Sequence, residues 1–137
     1  MELAEEARDT IDNLANQFNI VECLQEQAQG FTLLWHPEKA LQIYKETDIL
    51  RPFRPLRDLG SYSIVKAQAY AYAGDLDKGF EYAQRGLQLA SEYQSKRHIA
   101  RVDGMCNRLS VTPLGQEKRM QDIREALVET HKKQELW

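Results

Sequence analysis

The chain has 137 residues, 18 Lys and Arg against 21 Asp and Glu, and a formal net charge of −3. This length suits one domain around one core, and the acidic balance argues against direct nucleic-acid binding, which calls for a basic excess. Hydrophobic residues at 42% can fill a core, and only 4 Pro and 7 Gly beside abundant Ala, Leu, Gln, Glu, Lys and Arg favour an all-α fold.

In chain order, Leu3, Ala7, Ile11 and Leu14 recur at helical spacing and predict a first helix over Glu2–Asn16. The polar stretch Asn16–Asn19 interrupts it, and Ile20, Val21, Leu24, Ala28, Phe31 and Leu34 carry a second helix up to Trp35. His36-Pro37-Glu38 reads as the start of a third, since Pro fits the first helical position and an acid suits the first turn. That helix extends to about Ile49, with Ala40, Leu41, Tyr44 and Thr47 inward. Two prolines forbid its continuation through Arg51-Pro52-Phe53-Arg54-Pro55-Leu56-Arg57-Asp58, which reads as a loop.

Ser61 is the expected N-cap of a fourth helix carrying Ile64, Ala67, Tyr70 and Ala71 up to a Gly74-Asp75 turn. A fifth follows with Leu76, Phe80, Ala83, Leu87 and Ala90 on one stripe. Ser95 caps a sixth with Ile99, Val102, Cys106 and Leu109 inward, and Thr112-Pro113-Leu114-Gly115 breaks it. The seventh, from about Glu117 to Lys133, turns Met120, Ile123 and Leu127 to one side.

Two of these hairpins share a register. Leu24, Ala28, Phe31, Ala40, Tyr44, Thr47 and Pro52 are matched by Ser63, Ala67, Tyr70, Gly79, Ala83, Gly86 and Ser91, each pair 39 positions apart. The spacing of small residues and an adjacent aromatic resembles the tetratricopeptide repeat, a helix–turn–helix unit of about 34 residues. Gly74-Asp75-Leu76-Asp77 looks like the family's interhelical turn; His36-Pro37 departs from it, as does the extra length of the Pro/Arg loop. The resemblance implies an α-solenoid of antiparallel helix hairpins over residues 1–137. Its repeats lie at about 20–54 and 60–93, with a degenerate terminal hairpin at about 95–134 and the first helix as the end of a preceding repeat.

The run Lys66-Ala67-Gln68-Ala69-Tyr70-Ala71-Tyr72-Ala73-Gly74-Asp75-Leu76, followed by Ser95-Lys96-Arg97-His98-Ile99-Ala100-Arg101-Val102, is similar to the C-terminal repeats of bacterial helix-turn-helix transcriptional regulators. This implies a cytoplasmic protein whose sensor or interaction end is the present chain. Two cysteines with no paired spacing, Cys23 and Cys106, fit a reducing compartment, and no stretch reads as a membrane span or signal peptide.

The residues do not group into an enzyme's machinery. Cys23 and Cys106 fall on apolar stripes, where a free Cys acts as a small hydrophobe. His36, His98 and His131 sit on different elements without metal-ligand spacing, His36 reading as a helix cap or surface residue. No phosphate-cradling loop is present, so neither metal nor cofactor is expected. A protein or peptide partner is. The family register implies a concave wall of Gln25, Gln29 and Thr32 from one helix and Ile64, Gln68 and Tyr72 from another. Amides suit an extended peptide backbone, and Tyr72 adds an apolar face.

Arg97, Arg101 and Arg108 follow at steps of four and seven on one helical face, as candidate anion contacts partly neutralised by Asp103. The lysine and asparagine of a strict carboxylate clamp are replaced here by Gln25 and Gln29. Arg51-Pro52 and Arg54-Pro55 have polyproline character with basic flanks, able to dock elsewhere or to pack across the groove's mouth. Apolar ends, Leu14 at one and Leu127, Leu136 and Trp137 at the other, suggest a homodimer as the alternative role.

Overall fold

A computed structural model describes the backbone of residues 2–137, and their side chains except those of residues 2, 3, 10, 11, 14, 15, 17 and 18. Among these residues the chain is all helical: α1 (Glu2–Leu33), α2 (Pro37–Leu50), α3 (Leu56–Tyr72), α4 (Leu76–Glu92), α5 (Lys96–Ser110) and α6 (Lys118–Gln134). A short 3-10 helix, Pro113–Gln116, fills the break before α6.

The all-α expectation holds with seven helical elements, differently divided. The first two expected helices are one helix of 32 residues. Asn16-Gln17-Phe18-Asn19 contains no Pro to remove an amide, and Asn lowers helix propensity by only a few tenths of a kcal/mol, too little to end a helix. Of the expected inward stripe, Ala7 is exposed, and Leu3, Ile11 and Leu14 lie outside the described side chains. Among the described side chains of α1, the first that is buried is that of Val21.

Three interhelical turns share one construction. Trp35 (φ 62°), Gly74 (φ 90°) and Gln94 (φ 53°) each take the left-handed conformation just past a helix. The next amide then reaches back five residues, His36 to the Phe31 carbonyl at 2.8 Å, Asp75 to Tyr70 at 2.9 Å and Ser95 to Ala90 at 2.8 Å. This closes the last turn and reverses the chain. Asp75 then caps α4 by accepting the Lys78 amide (3.2 Å) and Ser95 caps α5 by accepting that of His98 (3.4 Å). His36, by contrast, makes no side-chain cap bond and is exposed.

Small residues set the closeness of the α3–α4 hairpin. A Cβ on Gly79 would stand 3.2 Å from the Ala71 Cβ and 3.4 Å from the Ala67 carbonyl, and Gly86 lies against Ile64 and the Gly60 carbonyl. Both Ala67 and its partner in the shared register, Ala28, are fully buried. The larger core joins α3 to α6 through Ile64, Leu87, Ile99, Val102, Met105, Leu109, Met120 and Ile123. A smaller one joins α1, α2 and α3 through Ala28, Ala40, Tyr44, Tyr62, Val65 and Ala69.

Two expectations at the edges are corrected. Ser61 lies inside α3, which starts at Leu56 directly behind Pro55, because a proline ahead of a helix has no amide to satisfy. The loop is correspondingly confined to 51–55. At the C-terminus Leu127 is buried and Trp137 packs against the larger core, so only Leu136 of the expected apolar end is fully presented to solvent.

Candidate functional site

α3 packs against α1 on one side and α5 on the other, which sets the three helices in a row. A cleft of about 350 Å³ opens across them, closed at one edge by the α2–α3 loop. Each wall follows from helical spacing. On α1, Glu22, Gln25, Glu26 and Gln29 lie three or four apart and share a face; on α3, Asp58, Ser61, Tyr62 and Val65 do the same. Arg97, His98 and Arg101 come from one turn of α5, and Arg51 and Arg54 from the loop.

The charges are unevenly paired. Arg51 binds the Asp58 carboxylate at 3.1 Å and faces Glu22 at 4.0 Å. Arg97 and Arg101 have no carboxylate within ion-pair distance among the described residues. Burial and the neighbouring Arg97 push the Arg101 pKa down from the ordinary arginine value. Burial, with Arg101 and Arg97 beside it, does the same to His98, which favours a neutral imidazole at neutral pH.

Beneath the loop lies a polar knot. Tyr62 donates its hydroxyl proton to Asp48, whose other oxygen takes Lys66 Nζ at 2.9 Å, and Thr47 Oγ1 sits 2.7 Å from the Tyr62 oxygen. The Arg54 guanidinium sits over the Tyr62 ring, its Cζ 3.6 Å from the centroid. Tyr44 meets the same ring edge-on at 5.7 Å, and its buried hydroxyl has no hydrogen-bond partner among the described residues. Burial pushes the pKa values of both tyrosines well above the ordinary phenol value, so both stay protonated donors.

The cleft gathers four of the expected site residues, Gln25, Gln29, Arg97 and Arg101, and leaves five outside. Thr32 is buried, its hydroxyl donating to the Ala28 carbonyl at 3.0 Å. Ile64 is buried in the core because α3 turns it towards α4, where Gly86 leaves room. Tyr72 is covered by Trp35, stacked on it at 4.3 Å, and the half-buried Gln68 donates to the Tyr72 hydroxyl at 3.2 Å. Arg108 leaves the Arg97–Arg101 pair: it donates to the Leu33 carbonyl at 3.1 Å and stands over the rings of Trp35 and Tyr72. This clasp seals the far end of the row and shortens the expected wall. Asp103 does not neutralise the arginines; it pairs with His131 at 2.9 Å.

Tyr62, Tyr44, Glu22 and Glu26 are site residues the sequence reading did not select, and Arg54 entered it only as part of the Pro/Arg loop. Glu22 and Glu26 were within reach of that reading, since they continue the helical face of Gln25 and Gln29. Of the two expected roles for the Pro/Arg loop, Arg51 and Arg54 fit packing along the groove's edge, whereas Phe53 projects into solvent. Of the cysteines, Cys23 is exposed rather than on an apolar face, and Cys106 is buried with its thiol pushed up to about 11 by burial. No group of His, Cys, Asp and Glu among the described residues could hold a metal ion, and no described helix is long and apolar enough to cross a membrane.

No protein-family model, no curated protein and no solved structure matches this chain.

Proposed function

We propose that the chain is a non-enzymatic module that binds a protein or peptide segment. In this reading it is a tetratricopeptide-like solenoid serving as the sensor or interaction part of a bacterial cytoplasmic regulator. The observation that supports binding is the open, mostly polar cleft across α1, α3 and α5, with the amides of Gln25 and Gln29 facing the unpaired Arg97 and Arg101. Amide side chains offer a donor and an acceptor each, the pairing an extended peptide backbone requires. Preformed helical walls spare the partner most of the ordering cost on the module's side. The non-enzymatic reading is supported by Cys106, whose raised pKa makes a poor nucleophile. The regulator assignment rests on the resemblance of the Lys66–Leu76 run.

A selection of peptides displayed on phage tests the binding reading, run in parallel on the chain and on Gln29→Trp, whose neutral bulk fills the cleft from α1. Enrichment lost in Gln29→Trp is the expected result; enrichment indifferent to the block, or none at all, contradicts it.

A second reading, a dimerisation module, is favoured by the exposed apolar side chains Ile49, Leu50, Phe53 and Leu56 around the end of α2. Sedimentation over a broad concentration range decides it: a monomer throughout excludes the homodimer.

A further inference from the structure

Arg54 stands apart from the other arginines of the cleft in what its guanidinium lacks. Its Nε and Nη2 atoms are buried and have no hydrogen-bond partner among the described residues. These two nitrogens occupy one edge of the planar group, and their N–H bonds point the same way, as a fork that fits both oxygens of a carboxylate. The two acids nearest in the field of Arg54 are already committed. Asp48 accepts from Tyr62 and Lys66, and Asp58 is held by Arg51. The cation–π contact with Tyr62 holds the guanidinium at this place, and the prolines on either side of the Phe53-Arg54 pair limit the loop's freedom.

A buried, charged donor pair left unmade is costly, and a fold tolerates it where another group completes it. On α5, lining the same cleft, Arg97 and Arg101 crowd each other with no carboxylate in ion-pair distance among the described residues. Of the three carboxylates lining the cleft, Asp58 and Glu22 stand at Arg51 and Glu26 lies on α1, so four arginines outnumber them and suit an extended chain with acidic groups more than a basic one.

We propose that the cleft selects an acidic peptide segment, and that Arg54 is the specificity-determining residue, taking one carboxylate through its Nε–Nη2 fork while Arg97 and Arg101 take a second. This deepens the peptide-binding reading and rests on it. The fork is buried in the structure, so binding requires a small movement of the Arg54 side chain that opens this edge to the cleft. Charge alone does not suffice for the role: lysine would keep the cation and lose the fork.

Titration of the full chain, followed by nuclear magnetic resonance of the arginine Nε–H groups, tests the proposal. The probes are acetyl-Gly-Glu-Gly-Glu-Gly-amide, its counterpart with Gln for Glu, and the Gln peptide with a free C-terminal carboxylate. The Glu peptide is expected to move the Arg54 Nε–H resonance and to bind roughly tenfold more weakly to both Arg54→Gln and Arg54→Lys, the loss of about one charge-assisted hydrogen bond. Circular dichroism checks that both variants stay helical, and Arg119→Gln, outside the cleft, should bind as the parent does. If the free-acid Gln peptide alone reproduces the effect, the carboxylate read by Arg54 is a chain terminus; if the amidated Glu peptide does, it is a side chain.

Equal binding of the Glu and amidated Gln peptides overturns the acidic preference and leaves the peptide-binding reading standing. Unchanged affinity in Arg54→Lys overturns the fork. Absence of any binding at millimolar peptide also overturns the proposal, and the phage selection then judges the broader reading independently.

Discussion

The indole of Trp35 lies on the phenol ring of Tyr72, with centroids 4.3 Å apart and planes 17° apart. The arrangement matters because Trp35 holds a left-handed backbone (φ 62°) that costs a residue with a Cβ about 1–2 kcal/mol. The stack, and Arg108 5.0 Å above the indole, offset that cost and tie the α1–α2 turn to α3 and α5. Trp35→Ala should therefore destabilise the chain by about 1–2 kcal/mol, the value of an aromatic pair plus half-buried area. Trp35→Gly, which relieves the backbone, should lose less. Urea denaturation of the two variants checks the order.

Two helical glycines should respond oppositely to alanine. A Cβ at Gly86 would collide with Ile64 and lie 3.2 Å from the Gly60 carbonyl, so Gly86→Ala should destabilise by about 1–3 kcal/mol. Gly104 has nothing within 4 Å of such a Cβ, and Gly104→Ala should stabilise α5 by about 0.5–1 kcal/mol. Thermal melts of both variants, with shifts of opposite sign, are the check.

The thiols should differ in the same way. Cys23 is exposed and Cys106 buried, its pKa raised to about 11. Ellman's reagent at neutral pH should titrate one thiol in the folded chain and two in denaturant. Two fast thiols in the folded state would place Cys106 at the surface.

His131 gives a pH dependence with a definite sign. Its hydrogen bond to Asp103 raises its pKa in the folded chain, with Gln134 and Glu135 acting in the same direction against some desolvation. A raised folded value means the stabilisation is complete below the ordinary imidazole value and fades as pH rises through the folded value. Because the pair is substantially exposed, the effect is small. Urea midpoints of the parent should fall slightly more than those of Asp103→Asn between mildly acidic and mildly alkaline pH.

The sequence carried the helices well because their stripes are set by local spacing, and the Ser95 cap and the Gly74 turn each rest on one residue's chemistry. It misplaced the break in α1, where a polar stretch imitates a loop without removing any backbone donor. It located Gln25, Gln29, Arg97 and Arg101 by face, but face alone does not say where a row of helices is sealed. Trp35 and Arg108 close the row over Tyr72, and that contact joins residues far apart in the chain. Arg54 was hidden for a related reason: its importance lies in what Asp48 and Asp58 are already doing, and pairing of that kind has no signature in linear order.

The central claim is that the cleft across α1, α3 and α5 is where a partner binds. The most direct measurement is a backbone amide map, by nuclear magnetic resonance, of the chain titrated with a peptide from the phage selection. Binding at this cleft predicts the largest changes at Gln25, Gln29, Ser61, Arg97 and Arg101, residues that line it from three helices. Changes centred instead on the groove of Gln84, Gln88 and Lys133, between α4 and α6, would contradict the account.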